Sequence, residues 1–221
     1  MSTTTKTDVR RPIFARMYPR MAAAMDEGGM TERRRALLVG LTGEVVEVGA
    51  GHGVNFAHYP AEVARVVAVE PEPRLREQAR AAAATAAGDV EVVPGLAERL
   101  PLADRSVDAV VFCMVLCSLL DVGAALAEAR RVLKPGGQMR FLEHVRADTP
   151  GLARVQDVLD ATIWPRLVGG CRTGRDTVAA IEGAGFTVGN IEHFLFPQAR
   201  TPFSFHALGT ATPPPPSSSA I

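Results

Sequence analysis

Short runs of β-branched apolar residues recur through the chain, and stretches of helical composition separate several of them. These runs lie at residues 44–48, 63–69, 89–93, 107–113 and 137–145. Most are apolar on both faces, as in the strands of a parallel sheet that is covered on both sides. The pattern therefore predicts an α/β fold, in which helices cover both faces of a mostly parallel, doubly wound, Rossmann-like sheet.

Two later segments raise the predicted number of strands to seven. TVAAIEGAGFTVGNIEHFLF predicts a helix, a glycine stop and a strand, and SFHALGTAT predicts the last strand. Before the fifth strand, LKPGGQM predicts the end of a helix and a Pro-Gly-Gly turn. Near the N-terminus, apolar residues at steps of three and four predict a helix with one apolar stripe, formed by Phe14, Met17, Tyr18, Met21 and Met25.

The domain organisation follows from the ends of this pattern. We expect a single domain over residues 13–211, because no linker or internal repeat interrupts it. Residues 13–43 and the insertion at 146–175, which has no strand pattern, are expected to form a cap. Residues 1–12 are polar and residues 212–221 are rich in proline and serine, so both ends are predicted to be disordered.

Composition and charge exclude several functions. The chain has 24 Lys plus Arg and 24 Asp plus Glu, so nothing favours nucleic acid or an anionic membrane surface. The longest apolar run, residues 109–120, is too short to cross a bilayer, and the N-terminus lacks the apolar core of a signal peptide. We therefore expect no membrane span. The sequence leaves the oligomeric state open.

The number and spacing of cysteines and histidines indicate the redox compartment and whether a metal site is expected. Three cysteines do not make a disulfide framework, so a reducing cytoplasm is predicted. No CxxC pair is present, and the five histidines show no zinc-ligand spacing. The sequence therefore predicts no metal site.

A glycine-rich loop follows the first predicted strand in VVEVGAGHG. In an open α/β sheet, ligands bind beyond the carboxyl ends of the strands. A dinucleotide-binding loop has the spacing GxGxxG. Here Gly49, Gly51 and Gly53 give GxGxG, and Val54 occupies the sixth position. The spacing therefore disfavours a dinucleotide.

Two carboxylates flank this loop and bear on the charge of the ligand. Glu47 lies just before the loop, where its charge would act on a bound ligand. Two unit charges about 4 Å apart interact by about 1 kcal/mol in water and about 4 kcal/mol at an intermediate dielectric. This interaction opposes a pyrophosphate and favours a cation. Glu70 ends the second strand, where an acidic residue accepts bonds from ribose hydroxyls, in NAD enzymes as well. Together they favour S-adenosyl-L-methionine, which carries a sulfonium and an ammonium and no phosphate.

Four segments in order strengthen this interpretation: VVEVGAGHG, VAVEPEP, GLAERLPLADRSVDAVV and RVLKPGGQMRFLEHV. Over roughly residues 40–145 the chain resembles the class I S-adenosylmethionine-dependent methyltransferases of the UbiE-like branch, with a methyltransferase type 11 domain. FCMVLCSL, QDVLDATIWPRLVGGCRTGRDT and HFLFP are similar to the methyltransferase-like 7 group of thiol S-methyltransferases. Members of that group carry an N-terminal membrane anchor, which Arg16, Pro19 and Arg20 argue against here.

The resemblance implies methyl transfer to a small, fairly apolar acceptor, with a thiol favoured and oxygen, nitrogen or carbon acceptors left open. It places the methionine end of the cofactor on Glu47, Gly49, Ala50, Gly51 and Gly53, and Asn55 helps to set that loop. It places the ribose on Glu70 and the adenine on Pro71, Ala97 and Glu98. Cys113 and Met114 are expected to contact the cofactor mainly through their backbone.

Candidate catalytic residues depend on whether the acceptor arrives protonated. A thiol has a pKa of about 8.5 and a phenol about 10, so a phenol needs more help from a base. His144, at the end of the fifth strand, is the leading base candidate, and Asp160 and Tyr18 are weaker ones. The alternative for each is structural: rim packing for His144, a helix surface or cap for Asp160, and core for Tyr18.

Two other functions stay open at this point. One is a Rossmann-type NAD(P)-dependent oxidoreductase, which the loop spacing and Glu47 disfavour. The other is a protein that binds S-adenosylmethionine without transferring its methyl group.

Overall fold

The computed structural model describes residues 8–162 and 164–214, and these contain one seven-stranded sheet. The strand order is β3-β2-β1-β4-β5-β7-β6; β1 to β5 pair in parallel, and β7 is antiparallel to β5 and β6. The predicted fold class is confirmed. The strands are β1 Gly43–Val48, β2 Val63–Val69, β3 Val90–Val93, β4 Val107–Cys113, β5 Leu133–His144, β6 Thr187–Leu195 and β7 Phe205–Thr212.

The helices begin where the sequence supplies caps. Glu72, Asp121 and Asp176 each accept a hydrogen bond from the backbone N–H three residues on, which satisfies a donor that a helix start leaves free. These caps start the third, fourth and seventh helices. The helices are α1 Pro12–Met25, α2 Thr31–Leu38, α3 Pro73–Ala83, α4 Val122–Val132, α5 Pro150–Asp160, α6 Trp164–Leu167 and α7 Thr177–Gly183.

Alternate strand residues pack against helices on opposite faces of the sheet. Val46 is buried in one core layer with Leu126 of α4 and Ile181 of α7. Val45, its neighbour in β1, is buried in the other layer with Leu38 of α2. The period of two in a strand therefore gives both faces an apolar core.

Strand β5 begins earlier than the sequence predicts. Its first residue is Leu133, so the expected Pro-Gly-Gly turn lies within the strand. Leu133 pairs with Val107, whereas Gln138 pairs with Ala109, and the ladder shifts register between these pairs. Gly136 has a φ of 81°, which suits glycine. The predicted turn residues thus form an irregularity within one continuous strand.

The chain ends differ in part from the predicted boundaries. Residues 1–7 and 215–221, most of the two segments predicted to be disordered, lie outside the described residues. At the N-terminal side, the Val9 N–H donates to the Pro71 carbonyl at 3.2 Å, and Asp8 pairs with Arg76 at 3.0 Å. At the other end, β7 continues to Thr212. Among the described residues, no helix combines the length and apolar character needed to cross a membrane.

A buried amide in the insertion at residues 146–175 joins its helix to the neighbouring loops. Gln156 of α5 is fully buried, and its Oε1 accepts a hydrogen bond from the Ala147 N–H at 2.8 Å. Its Nε2 donates to the carbonyls of Thr173 at 3.0 Å and Pro202 at 2.9 Å. A single side chain therefore joins α5 to three separate loop segments.

This arrangement predicts a stability effect for Gln156→Ala. The substitution leaves several buried polar groups without partners, each costing about 1–3 kcal/mol. We expect the free energy of unfolding to fall by at least about 2 kcal/mol in urea titrations. Val158→Ala is the matched control, because that side chain of α5 is 64% exposed, and a change below about 0.5 kcal/mol is expected. Equal effects of the two substitutions would contradict the tethering role.

Candidate active site

A cavity of about 220 Å³ lies beyond the carboxyl ends of β1, β2 and β4. The loops that follow these strands form its floor, and α1 covers it through Phe14 and Tyr18. This is the position at which open α/β sheets bind ligands. Most of the predicted cofactor residues line it: Gly49, Gly51, Glu70, Pro71, Ala97, Glu98, Cys113 and Met114.

The glycine loop is shaped by close packing on both sides. Gly49 and Gly51 have φ values of 69° and 60°, in the left-handed region that favours glycine. A Cβ at Gly49 would lie 2.7 Å from Val115, and one at Gly51 would lie 2.8 Å from the ring of Tyr18. The loop therefore needs glycine at both positions for space as well as for conformation.

Ala50 and Gly53 shape the loop without lining the cavity. The Gly53 N–H donates to the Ala50 carbonyl at 3.0 Å, which closes the turn. A Cβ at Gly53 would lie 2.6 Å from the ring of Phe56. These two predicted residues thus lie behind the surface that a ligand would contact.

Glu70 joins the loop after β1 to the loop after β2. One carboxylate oxygen accepts the Gly51 N–H at 2.7 Å, and the other accepts the Glu72 N–H at 2.8 Å. Burial raises the pKa of Glu70 to about 7, although these two N–H donors oppose the shift. Glu70 is therefore a buried acid at the cavity wall, with lone pairs left for further donors.

The charge of Glu47 suggested that its side chain faces the ligand, but Glu47 is absent from the described cavity lining. Its carboxylate accepts hydrogen bonds from the Asn55 Nδ2 at 2.7 Å and from the Tyr59 hydroxyl at 2.9 Å. Burial raises the pKa of Glu47 to about 7. Side chains alternate along a strand, and Glu47 takes the same side as Val45, toward α2. Glu47 and Asn55 thus support the glycine loop from beneath.

Arg34 of α2 completes this buried network, and sequence reasoning missed it. The side chain is 1% exposed, donates to Asp26 at 2.9 Å and to the Asn55 Oδ1 at 3.2 Å, and also reaches the Cys113 Sγ at 3.2 Å. A buried guanidinium needs such partners. In the sequence Arg34 is one of three consecutive arginines, so no local signal separates it from its exposed neighbours.

Arg11 was also missed. It lines the cavity, and burial lowers its pKa while the nearby Glu70 opposes that shift. The sequence assigned Arg11 to the polar N-terminus, where nothing indicates that it folds back onto the sheet.

The structure brings one of the three catalytic candidates to the cavity. Tyr18 lines it, and burial raises the pKa of its hydroxyl well above the ordinary value, so this group stays protonated near neutral pH. Asp160 lies elsewhere; its carboxylate accepts the backbone N–H groups of Thr173 at 2.8 Å and Gly174 at 2.9 Å. Asp160 therefore closes the loop after α6.

His144 also lies away from the cavity lining. Its Nδ1 lies 3.6 Å from the Cys171 Sγ and 3.8 Å from the Cys117 Sγ, and its ring centroid is 4.3 Å from that of His206. Glu143, its neighbour, points to the other side of β5. That carboxylate accepts three backbone N–H bonds from Val115, Leu116 and Cys117.

The cavity suits a cationic adenosine compound. Glu70, Glu72 and Glu98 contribute carboxylates to its lining, and Phe14, Leu119 and Leu120 contribute apolar side chains. The two close-packed glycines leave the backbone of the loop open to a ligand.

Comparisons with known proteins agree with this geometry. Residues 46–141 match the methyltransferase domain family. The human thiol S-methyltransferase TMT1B is 32% identical over 217 residues, which cover 91% of this chain and 88% of that protein. Two solved structures share the fold. A methyltransferase from Thermotoga maritima has a TM-score of 0.66 at 22% identity, covering 91% of this chain and 99% of the other. Geranyl diphosphate C-methyltransferase from Streptomyces coelicolor A3(2) has a TM-score of 0.62 at 15% identity, with coverages of 82% and 76%.

The fold is Rossmann-like, and the sequence relatives define the family. This chain belongs to the class I S-adenosylmethionine-dependent methyltransferases, as its motifs predicted. The members of this family are enzymes that take the methyl group they transfer from S-adenosyl-L-methionine. The oxidoreductase alternative is thereby set aside.

The position of Glu70 predicts how its loss affects cofactor binding. Glu70→Ala removes a charge-assisted acceptor and frees the Gly51 N–H, so we expect the cofactor Kd to rise by about 10- to 100-fold in calorimetric titrations. Glu91→Ala, on the exposed side of β3, is the control and should leave Kd unchanged. An unchanged Kd in Glu70→Ala would refute the assignment of Glu70 to the cofactor.

The raised pKa of Glu70 also predicts a pH dependence of binding. Below pH 7 the free protein increasingly carries a protonated Glu70, whereas a cationic cofactor favours the ionised form. We therefore expect affinity to rise about 10-fold between pH 5.5 and pH 7.5, with proton release on binding. Glu70→Gln should flatten this profile, whereas Glu47→Gln should retain it because Glu47 lies outside the cavity lining. A flat profile in the unsubstituted protein would contradict the prediction.

Proposed function

We propose that this chain methylates the sulfur atom of a small, fairly apolar thiol. The observation that carries the proposal is the extent of the similarity to TMT1B. It covers 91% of the chain, so it continues well beyond the 46–141 domain into the segments that cover the cavity. In the proposed site those segments face the acceptor.

The cofactor-binding residues follow from the lining of the cavity. Gly49 and Gly51 would take the methionine end, and Glu70 would accept the ribose hydroxyls. Pro71, Ala97 and Glu98 would border the adenine, and Cys113 and Met114 would form the wall beside the methyl group. Glu47, Ala50, Gly53 and Asn55 would act indirectly by holding the loop in shape.

The acceptor would enter at the apolar side chains of the cavity lining. Phe14 of α1 lies against Gly169 of the insertion, where a Cβ would be 2.7 Å from the phenyl ring. The N-terminal helix and the insertion therefore meet beside the cavity. Leu120 is 85% exposed among these side chains, a position that an apolar acceptor would cover. Burial of such surface contributes about 25 cal/mol per Å².

Methyl transfer requires the protein mainly to position the acceptor and the cofactor. When bound, S-adenosyl-L-methionine supplies a methyl carbon that is already activated by the sulfonium. Transfer forms a carbon–sulfur bond to the acceptor and breaks the bond to the sulfonium, and the thiol proton passes to solvent. Because a thiol ionises near pH 8.5, part of it is thiolate at neutral pH. Alignment and exclusion of water then supply much of the rate.

Tyr18 is a hydrogen-bond donor at the cavity, and Glu70, the buried acid of the lining, is assigned to the ribose. Tyr18, with its raised pKa, would donate a hydrogen bond and help to orient the acceptor or the cofactor. His144 as general base stays a prediction, and its contacts with Cys117 and Cys171 favour another role. A thiol acceptor needs no further base, because part of it is thiolate at neutral pH.

An acceptor panel tests this proposal. Purified protein is incubated with methyl-labelled cofactor and matched alkyl thiols, aryl thiols, phenols and amines. We expect label in thioethers, at a rate that rises with pH up to about the thiol pKa near 8.5. Faster labelling of phenols or amines would overturn the choice of acceptor. Cofactor binding without transfer to any acceptor would favour the alternative function, a protein that binds S-adenosylmethionine without transferring its methyl group.

A further inference from the structure

Three potential metal ligands meet behind the wall of the cavity. Cys117 lies in the short helical turn Leu116–Ser118 after β4, His144 ends β5, and Cys171 lies in the insertion. The two Sγ atoms are 3.7 Å apart, and the His144 Nδ1 lies 3.8 Å from one and 3.6 Å from the other. All three ligand atoms thus form a compact triangle.

These distances match one ion with three ligands. Tetrahedral zinc, with Zn–S bonds of about 2.3 Å and a Zn–N bond of about 2.1 Å, places sulfur atoms about 3.8 Å apart and sulfur and nitrogen about 3.6 Å apart. We propose that Cys117, His144 and Cys171 bind a thiolate-preferring divalent metal ion, with Zn²⁺ as the expected occupant. The fourth position is left to water or another small ligand.

The surroundings favour this ligand set over three unrelated side chains. Two thiolates neutralise the two charges of Zn²⁺, so the loaded site is electrically balanced although both cysteines are buried. A metal-binding histidine is usually fixed by a hydrogen bond from its other ring nitrogen. Here the ring of His144 is held by packing against His206, with the two ring centroids 4.3 Å apart.

A redox-active pair of cysteines would explain less of the arrangement of Cys117, His144 and Cys171. A pair of cysteines poised for a disulfide needs no third group, yet the His144 Nδ1 points at both sulfur atoms. Soft thiolate and imidazole ligands are the set that zinc takes in proteins. His144 is partly exposed, which leaves a side from which an ion enters.

The site lies outside the residues assigned to the cofactor, so it does not depend on the nature of the acceptor. Its neighbours Ser118 and Gly169 do line the cavity. A bound ion would connect β4, β5 and the insertion, and would therefore fix the wall on the acceptor side.

Cobalt substitution tests the site in the full-length protein. Metal is removed by chelation, a phosphine reductant keeps the cysteines reduced, and Co²⁺ is then titrated. We expect one equivalent to bind with the visible spectrum of tetrahedral cobalt and with charge-transfer absorption from two thiolates. Zn²⁺ should displace the cobalt and raise the thermal unfolding temperature.

Variants identify the ligands. Cys117→Ser, Cys171→Ser and His144→Ala should each weaken Co²⁺ binding by at least about 100-fold, beyond the effect of losing an outer-shell partner. Cys113→Ser is the matched control, since it removes another buried free cysteine, and should bind within about threefold of the unsubstituted protein. Absence of thiolate charge transfer in the unsubstituted protein, or equal loss in Cys113→Ser, would overturn the proposal. The spectrum of the unsubstituted protein decides the matter even where a variant fails to fold.

Discussion

Buried carboxylates at the ends of strands hold the loops from which the active site is built. Glu70, after β2, fixes the loop of its neighbour β1 through the Gly51 N–H, and Glu143, near the end of β5, fixes the loop of its neighbour β4 through three N–H groups. Glu47 holds Asn55 beneath the first loop. Because adjacent parallel strands end at the same edge, one carboxylate can satisfy the backbone donors of the next loop. The shape of the cavity depends on these bonds.

Burial of these carboxylates has a cost, because it disfavours their ionised form. Burial raises the pKa of Glu47, Glu70 and Glu143 to about 7, so each acid is partly protonated near neutral pH without a ligand. For these three groups stability is therefore greatest in mild acid and falls as pH rises from the unfolded pKa, near 4.5, toward 7. A cationic cofactor acts in the opposite direction at Glu70. Binding thus recovers electrostatic energy that folding alone leaves unfavourable.

The fold followed from the sequence because strand periodicity, glycine stops and helix caps are local signals. Glu70 and the glycines were found for the same reason, since they end or follow strands. Glu47 was assigned from its charge without the alternation that turns its side chain toward α2, and it is absent from the described cavity lining. Arg34 and the triangle of Cys117, His144 and Cys171 depend on contacts between distant segments, with 27 residues separating Cys117 from His144 and His144 from Cys171. No spacing rule for a local motif detects such a set.

In the proposed site, cofactor binding and acceptor choice depend on different segments of the chain. The cofactor side is made of strand-end loops that the sheet positions directly. The proposed acceptor side consists of α1 and the insertion, which meet beside the cavity at Phe14 and Gly169. Polar groups such as Gln156 and Asp160 fix the insertion. Substitutions in the insertion therefore change the acceptor wall while the glycine loop and Glu70 keep their bonds. The similarity to TMT1B extends across both parts, since it covers 91% of this chain.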